Sequence, residues 1–458
     1  MNLIPQHGST NTRSGAALVI VLWISFGLVS LTLYFGNSMS LELKASTHSE
    51  AGVQAELAVE GAVNYSRYLL DNLEEDGRLP LAEDYITEEV PVGRSTFWIV
   101  GRNPGGQTTE RPYFNFIDES GKLNLNTALF TNLIELPFMT EEFAYSIIDW
   151  RDDDEEPQDA GAESDTYQRF DPPYFAKNSR FESIEELRMV NGSTDEILYG
   201  EDTNQNGVLD PNENDGDASP PSDNSDGILD MGVLEYVTVH SIEGTMQTNG
   251  DPKIAFVSQN QGQQGGRQGG TTASQDLRDY MTEMLGEETA NQVAGRVGSA
   301  TSLLQFYQLS QLTPDEFAQI DDALTTSSNA VEGLINVNTA SAEVLNTLPG
   351  IEWNDAEAMV AHRNQNEAAQ NSIAWVTDVI EDEDVLNAIG PLITDKGYQY
   401  TADISAVGEH GRGYRRTRVI FDISEDRAKI VYRRELSRSG WALGRELREE
   451  LFASLQQQ

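Results

Sequence analysis

Twenty residues in a row without a charge, Ala16 to Phe35, constrain this chain more than any other feature. Roughly 20 apolar residues wound as a helix cross the hydrocarbon core of a bilayer, so this stretch is expected to span. A secretory signal would carry a shorter apolar region and a small-residue cleavage site. Here the run continues into Tyr34 and Phe35 with nothing of A-x-A type behind it. Arg13 stands just ahead of the run, which by the positive-inside tendency keeps the N-terminus cytoplasmic and exports the bulk. The residues that follow favour helix, with Leu41, Ala45, Val53, Leu57, Val59 and Tyr65 spaced as one buried stripe. Anchor and soluble helix are expected to form one rod.

A chain of 458 residues, 38% of them hydrophobic, supports more than one core. Its 75 acidic against 30 basic residues give a formal net charge of −45, which repels a polyphosphate backbone and makes nucleic acid a poor partner. With no cysteine, neither a disulfide framework nor a thiolate metal site is available.

Strand signals lie at both ends of the exported part. "STFWIVG" and "YFNFIDE" precede residue 118; "YQYTADISAVG", "YRRTRVIFDIS" and "RAKIVYRRELS" follow residue 397, joined by turns at "EHGRG" and "SEDR". A long helix packed on an antiparallel sheet is an α+β arrangement, and everything between 118 and 397 then splits that sheet as an insertion.

Inside the insertion an order of residues recurs. "GKLNLNTALFTNLIELPFMTEEFAYSIIDWRD" and "GLINVNTASAEVLNTLPGIEWNDAEAMVAHRN" share G-x-[LI]-N-x-N-T-A, an apolar helix, a Pro-led hairpin and a second helix ending in a basic residue. Thr127 and Thr339 are the expected caps of the first helices, and Pro137 and Pro349 the points of return. The second unit looks like a helix-hairpin-helix, which makes a membrane-anchored, DNA-binding competence-type receptor the rival function. Against it, Glu352 and Asp355 stand where a phosphate would sit, and the first hairpin, "LPFMTEE", has no glycine and two glutamates.

"DTNQNGVLDPNE", residues 202–213, has the spacing of an EF-hand calcium loop. Asp202, Asn204 and Asn206 alternate ahead of Gly207, the carbonyl of Val208 adds an oxygen, and Asp210 and Glu213 follow. A second candidate, "DNSDGILD", offers Asp223, Asn224, Asp226 and Asp230 but no matching acid at its end. The run "DDDEE" at 152–156 offers further oxygens, although such runs are ordinarily solvated. The cofactor these segments imply is Ca2+. Histidines at 7, 48, 240, 362 and 410 form no H-E-x-x-H pair, and neither G-x-S-x-G nor a P-loop occurs, so no enzyme is expected.

The leader "MNLIPQHGSTNTRSG" resembles that of type IV prepilins, a family cut by a membrane peptidase directly after a glycine. The resemblance implies cleavage after Gly15 and a methylated new terminus at Ala16. Most members carry a glutamate five residues into the mature chain; here that position is Ile20, a departure typical of the K-type minor pseudopilin of type II secretion. The segment 149–192 resembles the same proteins through Asp149, Trp150, Asp152, Asp154 and Pro157, then Gly161-Ala162-Glu163, Tyr167, Pro172-Pro173-Tyr174, Ser183, Glu185-Glu186-Leu187-Arg188 and Gly192. The resemblance implies an inner-membrane, single-pass protein with its bulk in the periplasm. It also implies a place at the tip of a pseudopilus beside I- and J-type minor pseudopilins and the major pseudopilin, with secretin or secreted cargo as further contacts and the prepilin peptidase as processing enzyme.

The expected organisation is a leader at 1–15, a membrane helix at 16–35, and the pseudopilin helix with first strands at 36–117. A first helical insert at 118–244 carries the acidic and calcium-loop segments. A Gln/Gly-rich flexible linker at 245–276, an extra helical block at 277–331 and a second helix-hairpin-helix-like unit at 332–397 follow, and then C-terminal strands and a tail helix at 398–458.

Overall fold

The computed structural model describes residues 13–75, 77–79, 85–103, 111–256, 274–366, 371–425 and 427–456. Helix α1, Arg13–Leu70, is one unbroken rod of 58 residues. From Leu18 to Phe35 its apolar side chains are exposed on every side, and the first packed residues are Ala51, Ala55, Ala58, Val59, Ala62 and Val63. The stripe expected from the sequence is therefore misplaced. Leu41, Ala45, Val53 and Leu57 are exposed, and of that set Val59 is buried and Tyr65 partly so. An alanine face wins because it admits a bulky sheet at close range: a Cβ on Gly408 would meet the Ala51 carbonyl oxygen at 2.3 Å.

The sheet runs β1 (Val90–Val92), β2 (Ser95–Val100), β10 (Gln399–Val407), β11 (Arg415–Asp422), β12 (Lys429–Glu435), all antiparallel, with β3 (Ile117–Asp118) also on β10. "YFNFIDE" is shorter as strand than expected, contributing β3 and a bridge from Phe114 to Val100. Along β10 the two faces differ. Tyr400, Ala402, Ile404 and Ala406 join Phe97, Ile99 and Phe421 under α1. Gln399, Thr401, Asp403 and Ser405, equally buried, point the other way, toward the insertion. Because β3 pairs with β10, the insertion leaves and re-enters the sheet at adjacent strands.

Three units make up the insertion. The first runs from β4 (Leu123–Asn124) through α2 (Phe130–Leu133), α3 (Glu141–Arg151), α4 (Ser164–Tyr167), α5 (Asp195–Tyr199) and α6 (Val233–Tyr236) to β5 (Val237–Thr238). The next is β6 (Ile254–Ala255), α7 (Gln275–Leu285), α8 (Glu287–Arg296), α9 (Leu303–Ser310), α10 (Pro314–Phe317) and β7 (Leu324–Thr325). The last is β8 (Ile335–Asn336), α11 (Ala342–Leu345), α12 (Trp353–Gln365), α13 (Val376–Val379), α14 (Glu383–Ile389) and β9 (Ile393–Thr394). In each, the opening strand pairs in parallel with the closing one. Helix α15 (Gly444–Gln456) ends the described chain.

The middle unit revises the expected layout. The linker placed at 245–276 is shorter on both sides: Thr245–Phe256 forms a bridge from Met246 to Pro252 and then β6, and Ser274 caps α7. Residues 257–273 lie outside the described set. The block after them repeats the plan of its neighbours. Ser302 caps α9 as Ser183 and Ser372 cap 3-10 turns in the flanking units, and Thr313 caps α10 as Thr194 and Asp382 cap α5 and α14. One hydrophobic core runs through all three units.

Candidate functional site

The two N-x-N-T-A elements fold alike, residue for residue. Asn124 and Asn336 each accept a backbone amide two residues on, from Asn126 and Asn338. Asn126 then holds Phe181 by amide and carbonyl, and Asn338 binds the carbonyl of Asp395 and the indole of Trp375. Arg151 and Arg363, the basic residues closing α3 and α12, turn back to the carbonyls of Leu125 and Ala128, and of Val337 and Ala340. Burial pushes Arg363 down to about 10.

Thr127 and Thr339 are not the caps. Leu129 and Ser341 occupy those positions, and the Thr339 hydroxyl donates to Asp118 at 2.8 Å instead. In the second unit the Glu352 amide donates to the Asp355 carboxylate at 3.1 Å, so at the N-terminus of α12 a carboxylate already takes an amide that an anion would need.

Of the processing residues, Gly15 and Ala16 fall within α1, and their side chains lie outside the described set.

The structure draws Asp202, Asn204, Asn206, Asp210 and Glu213 into one turn. Asp202 accepts the amides of Asn206 and Gly207; Asn204 and Asn206 donate to Asp210 at 2.7 and 3.1 Å; Glu213 accepts the Asp210 amide. Val208 is buried, its amide on Asn206. Two oxygens are buried with no partner, Oδ1 of Asn204 and Oε1 of Glu213. Burial, then the nearby Asp202 charge, pushes Glu213 up to about 8. Asp202, Asn204, Asp210 and Glu213 are the residues that would have to hold the expected Ca2+, but both Asp202 oxygens are taken by backbone amides, and Asp202, Asp210 and Glu213 do not form a carboxylate group with oxygens all within 4.8 Å of one another.

The second acidic loop is looser. Asp223 is turned away to the amides of Asp215 and Gly216, Asp226 is exposed, and Asn224 donates to Asp230. Glu201, not singled out in the sequence, bridges the two loops by accepting the amides of Asn224 and Asp230.

Behind the first loop stand arginines that the sequence did not flag. Arg416 and Arg102 both donate to the carbonyl of Gln205, and Arg416 also to that of Asn204. Arg102 is paired with Glu235 at 2.6 Å. The loop thus sits on the polar face of the sheet, while a cavity of about 700 Å³ separates it from α15.

A long N-terminal helix packed on an antiparallel sheet that is interrupted by paired helical units is the α+β arrangement expected of a pseudopilin fold with an inserted head. Residues 118–199 match the family model described as type II secretion system, protein K, and residues 331–372 match that of the helix-hairpin-helix motif. Across 118–199 the chain is similar to protein K of type II secretion systems. Among solved structures, that of the GspK-GspI-GspJ complex from enterotoxigenic Escherichia coli aligns over 84% of this chain and 98% of that one, at 11% identity and a TM-score of 0.36. No curated protein matches.

Proposed function

We propose that this chain is a minor pseudopilin that caps the tip of the periplasmic pseudopilus and helps start its assembly, held in the inner membrane by α1 after cleavage behind Gly15 and methylation of Ala16. The observation that carries this reading is the division of the molecule about α1. Val53, Leu57 and Tyr68 lie on one exposed side of that helix, opposite the alanine face on the sheet. This leaves an apolar stripe for neighbouring helices, with the insertion on the far side of the sheet as the bulky cap. GspI and GspJ accompany GspK in the E. coli complex; the I- and J-type proteins of this system are the partners proposed here, followed by the major pseudopilin. The role is mechanical, and calcium in the 202–213 loop, with 223–230 as a second position, is proposed to stiffen the head.

Co-purification from detergent extracts tests the assembly. The wild-type chain should bring down the I- and J-type pseudopilins, and Leu57→Asp should lose them while keeping its thermal unfolding. Retention of both partners by Leu57→Asp would remove the stripe as their docking surface.

A further inference from the structure

Helix α15 is fixed to the body of the chain by one face only. Leu447 and Leu451 pack with Trp98, Val100 and Val407. Arg445, Arg448 and Glu449, which helical spacing puts on the opposite face, line the cavity of about 700 Å³ that separates α15 from the 202–213 turn. From the turn, Asn204, Asp210 and Asn212 line the same space, and Trp441 joins the two sides. Turn and indole segment are in direct contact. Asn204 donates to the Trp441 carbonyl at 3.5 Å, and a Cβ on Gly440 would stand 3.4 Å from that of Asn204. Three stretches far apart in the chain thus build one concave surface.

Its volume falls in the range of about 300–1,000 Å³ typical of small-molecule sites. Its charges balance. Arg445 is paired with Glu449 at 2.7 Å, and Arg448 is near enough for its charge to act on Asp210. An anion therefore meets carboxylates beside the guanidinium groups, a cation meets the reverse, and neither gains a net field. An apolar ligand would strand the polar groups that line the space.

A neutral polyol meets none of these objections. Each hydroxyl both donates and accepts, so guanidinium N–H groups, carboxylate oxygens and asparagine amides can all be used at once. Trp441 is partly exposed, and the negative face of an indole suits the C–H face of a sugar ring. That indole is fixed before any ligand arrives: its N–H donates to the Gly444 carbonyl at 2.7 Å, and its ring packs on Tyr414 with centroids 4.8 Å apart.

We propose that the cavity between the 202–213 turn and α15 binds a short neutral oligosaccharide. Trp441 takes one sugar ring by stacking, while Arg448 from the helix and Asp210 and Asn212 from the turn hydrogen-bond its hydroxyls. The site uses groups of the chain alone and requires neither a filament nor a cation in the turn.

Isothermal titration of the full chain tests this, in a detergent without a sugar headgroup and with chelator throughout. Maltotriose, cellotriose and triacetylchitotriose are the probes. At least one should bind saturably, one per chain, with a dissociation constant at or below about 1 mM. Trp441→Ala should abolish that uptake, and Arg448→Met should weaken it by about tenfold or more. Ala453→Trp, at an exposed position of α15 that lines the cavity, should fill the space and abolish uptake as well. It carries the test if Trp441→Ala does not fold. No uptake of any probe at about 10 mM, or uptake undiminished in Ala453→Trp, overturns the proposal. Inorganic phosphate binding at this cavity in place of the sugars overturns it too.

Discussion

Arg416 and Asp403 form a bidentate pair with both side chains fully buried, Nε to Oδ1 and Nη2 to Oδ2 each at 2.8 Å, on the face of the sheet that meets the insertion. The same guanidinium reaches the carbonyls of Asn204 and Gln205, so one residue of β11 ties a strand of the sheet to the acidic loop of the head. Arg418 adds two further bonds to Asp403 Oδ2, from Nε at 3.1 Å and from Nη2 at 2.7 Å.

Removing the carboxylate should therefore be costly. Asp403→Asn leaves two arginines facing a neutral group and is expected to lower stability by about 3–5 kcal/mol, read by chemical denaturation of the detergent-solubilised chain. Burial alone would raise the pKa of Asp403, but Arg416 and Arg418 hold it well below the usual carboxylate range. A depressed folded-state value means stability present above the ordinary pKa, about 3.9, and lost as pH falls toward the folded one. The gap between wild type and variant should then be constant near neutrality and shrink below about pH 4. A gap that widens on acidification would contradict the assignment.

Calcium should raise the melting temperature of the chain, and magnesium should do less, because a flexible oxygen-lined loop suits the larger ion. Asp202→Ala or Glu213→Ala should abolish the part of the shift that comes from this loop. Replacing Asn212, whose side chain instead donates to the Pro220 carbonyl at 3.4 Å, should leave the shift intact. Calorimetry in which the wild-type chain and Asp202→Ala/Glu213→Ala take up calcium alike at millimolar ion would return it to a solvated turn.

Arg363→Met should destabilise the second helical unit. The change keeps most of the apolar stem but leaves the Val337 and Ala340 carbonyls without their donor, at about 1–3 kcal/mol for each buried acceptor. Arg151→Met should act in the same direction in the first unit. Thermal unfolding indistinguishable from wild type in both would mean that the shared geometry is incidental.

Processing should depend on Gly15. Gly15→Leu should leave an intact Met1 terminus in the membrane fraction, whereas the wild-type chain should begin at a methylated Ala16, both read by N-terminal mass spectrometry. An intact terminus in the wild type would remove the prepilin reading.

Much of this was legible because it rests on strong local signals. Alternating apolar and polar residues in 399–435 announced three strands, and the N-x-N-T-A elements announced two related units. The buried face of α1 was not legible. Large apolar residues at Leu41, Val53 and Leu57 make a convincing stripe, while the true contact uses Ala51, Ala55 and Ala58, whose smallness matters only once the sheet is in place. The middle unit was legible as an extra helical block, but its shared plan with its neighbours was not, because it lacks the N-x-N-T-A element; its capping box, Thr313 with Glu316, was the available clue. The turn at 202–213 was readable as spacing, but the arginines beneath it come from positions far along the chain, and no local pattern reports such a meeting.

Each unit of the head begins and ends on neighbouring strands, only about 4.8 Å apart across a ladder. A segment with adjoining ends behaves as a cassette: it can be spliced into a connection, or excised from it, without displacing what lies on either side. The middle unit has that form at its ends, while its core is continuous with the cores of the units on either side. The same holds one level up, where β3, from which the head departs, pairs with β10, to which it returns. Growth of this head by whole units is therefore cheap in structural terms, and the rod and sheet beneath it need not change as the head enlarges.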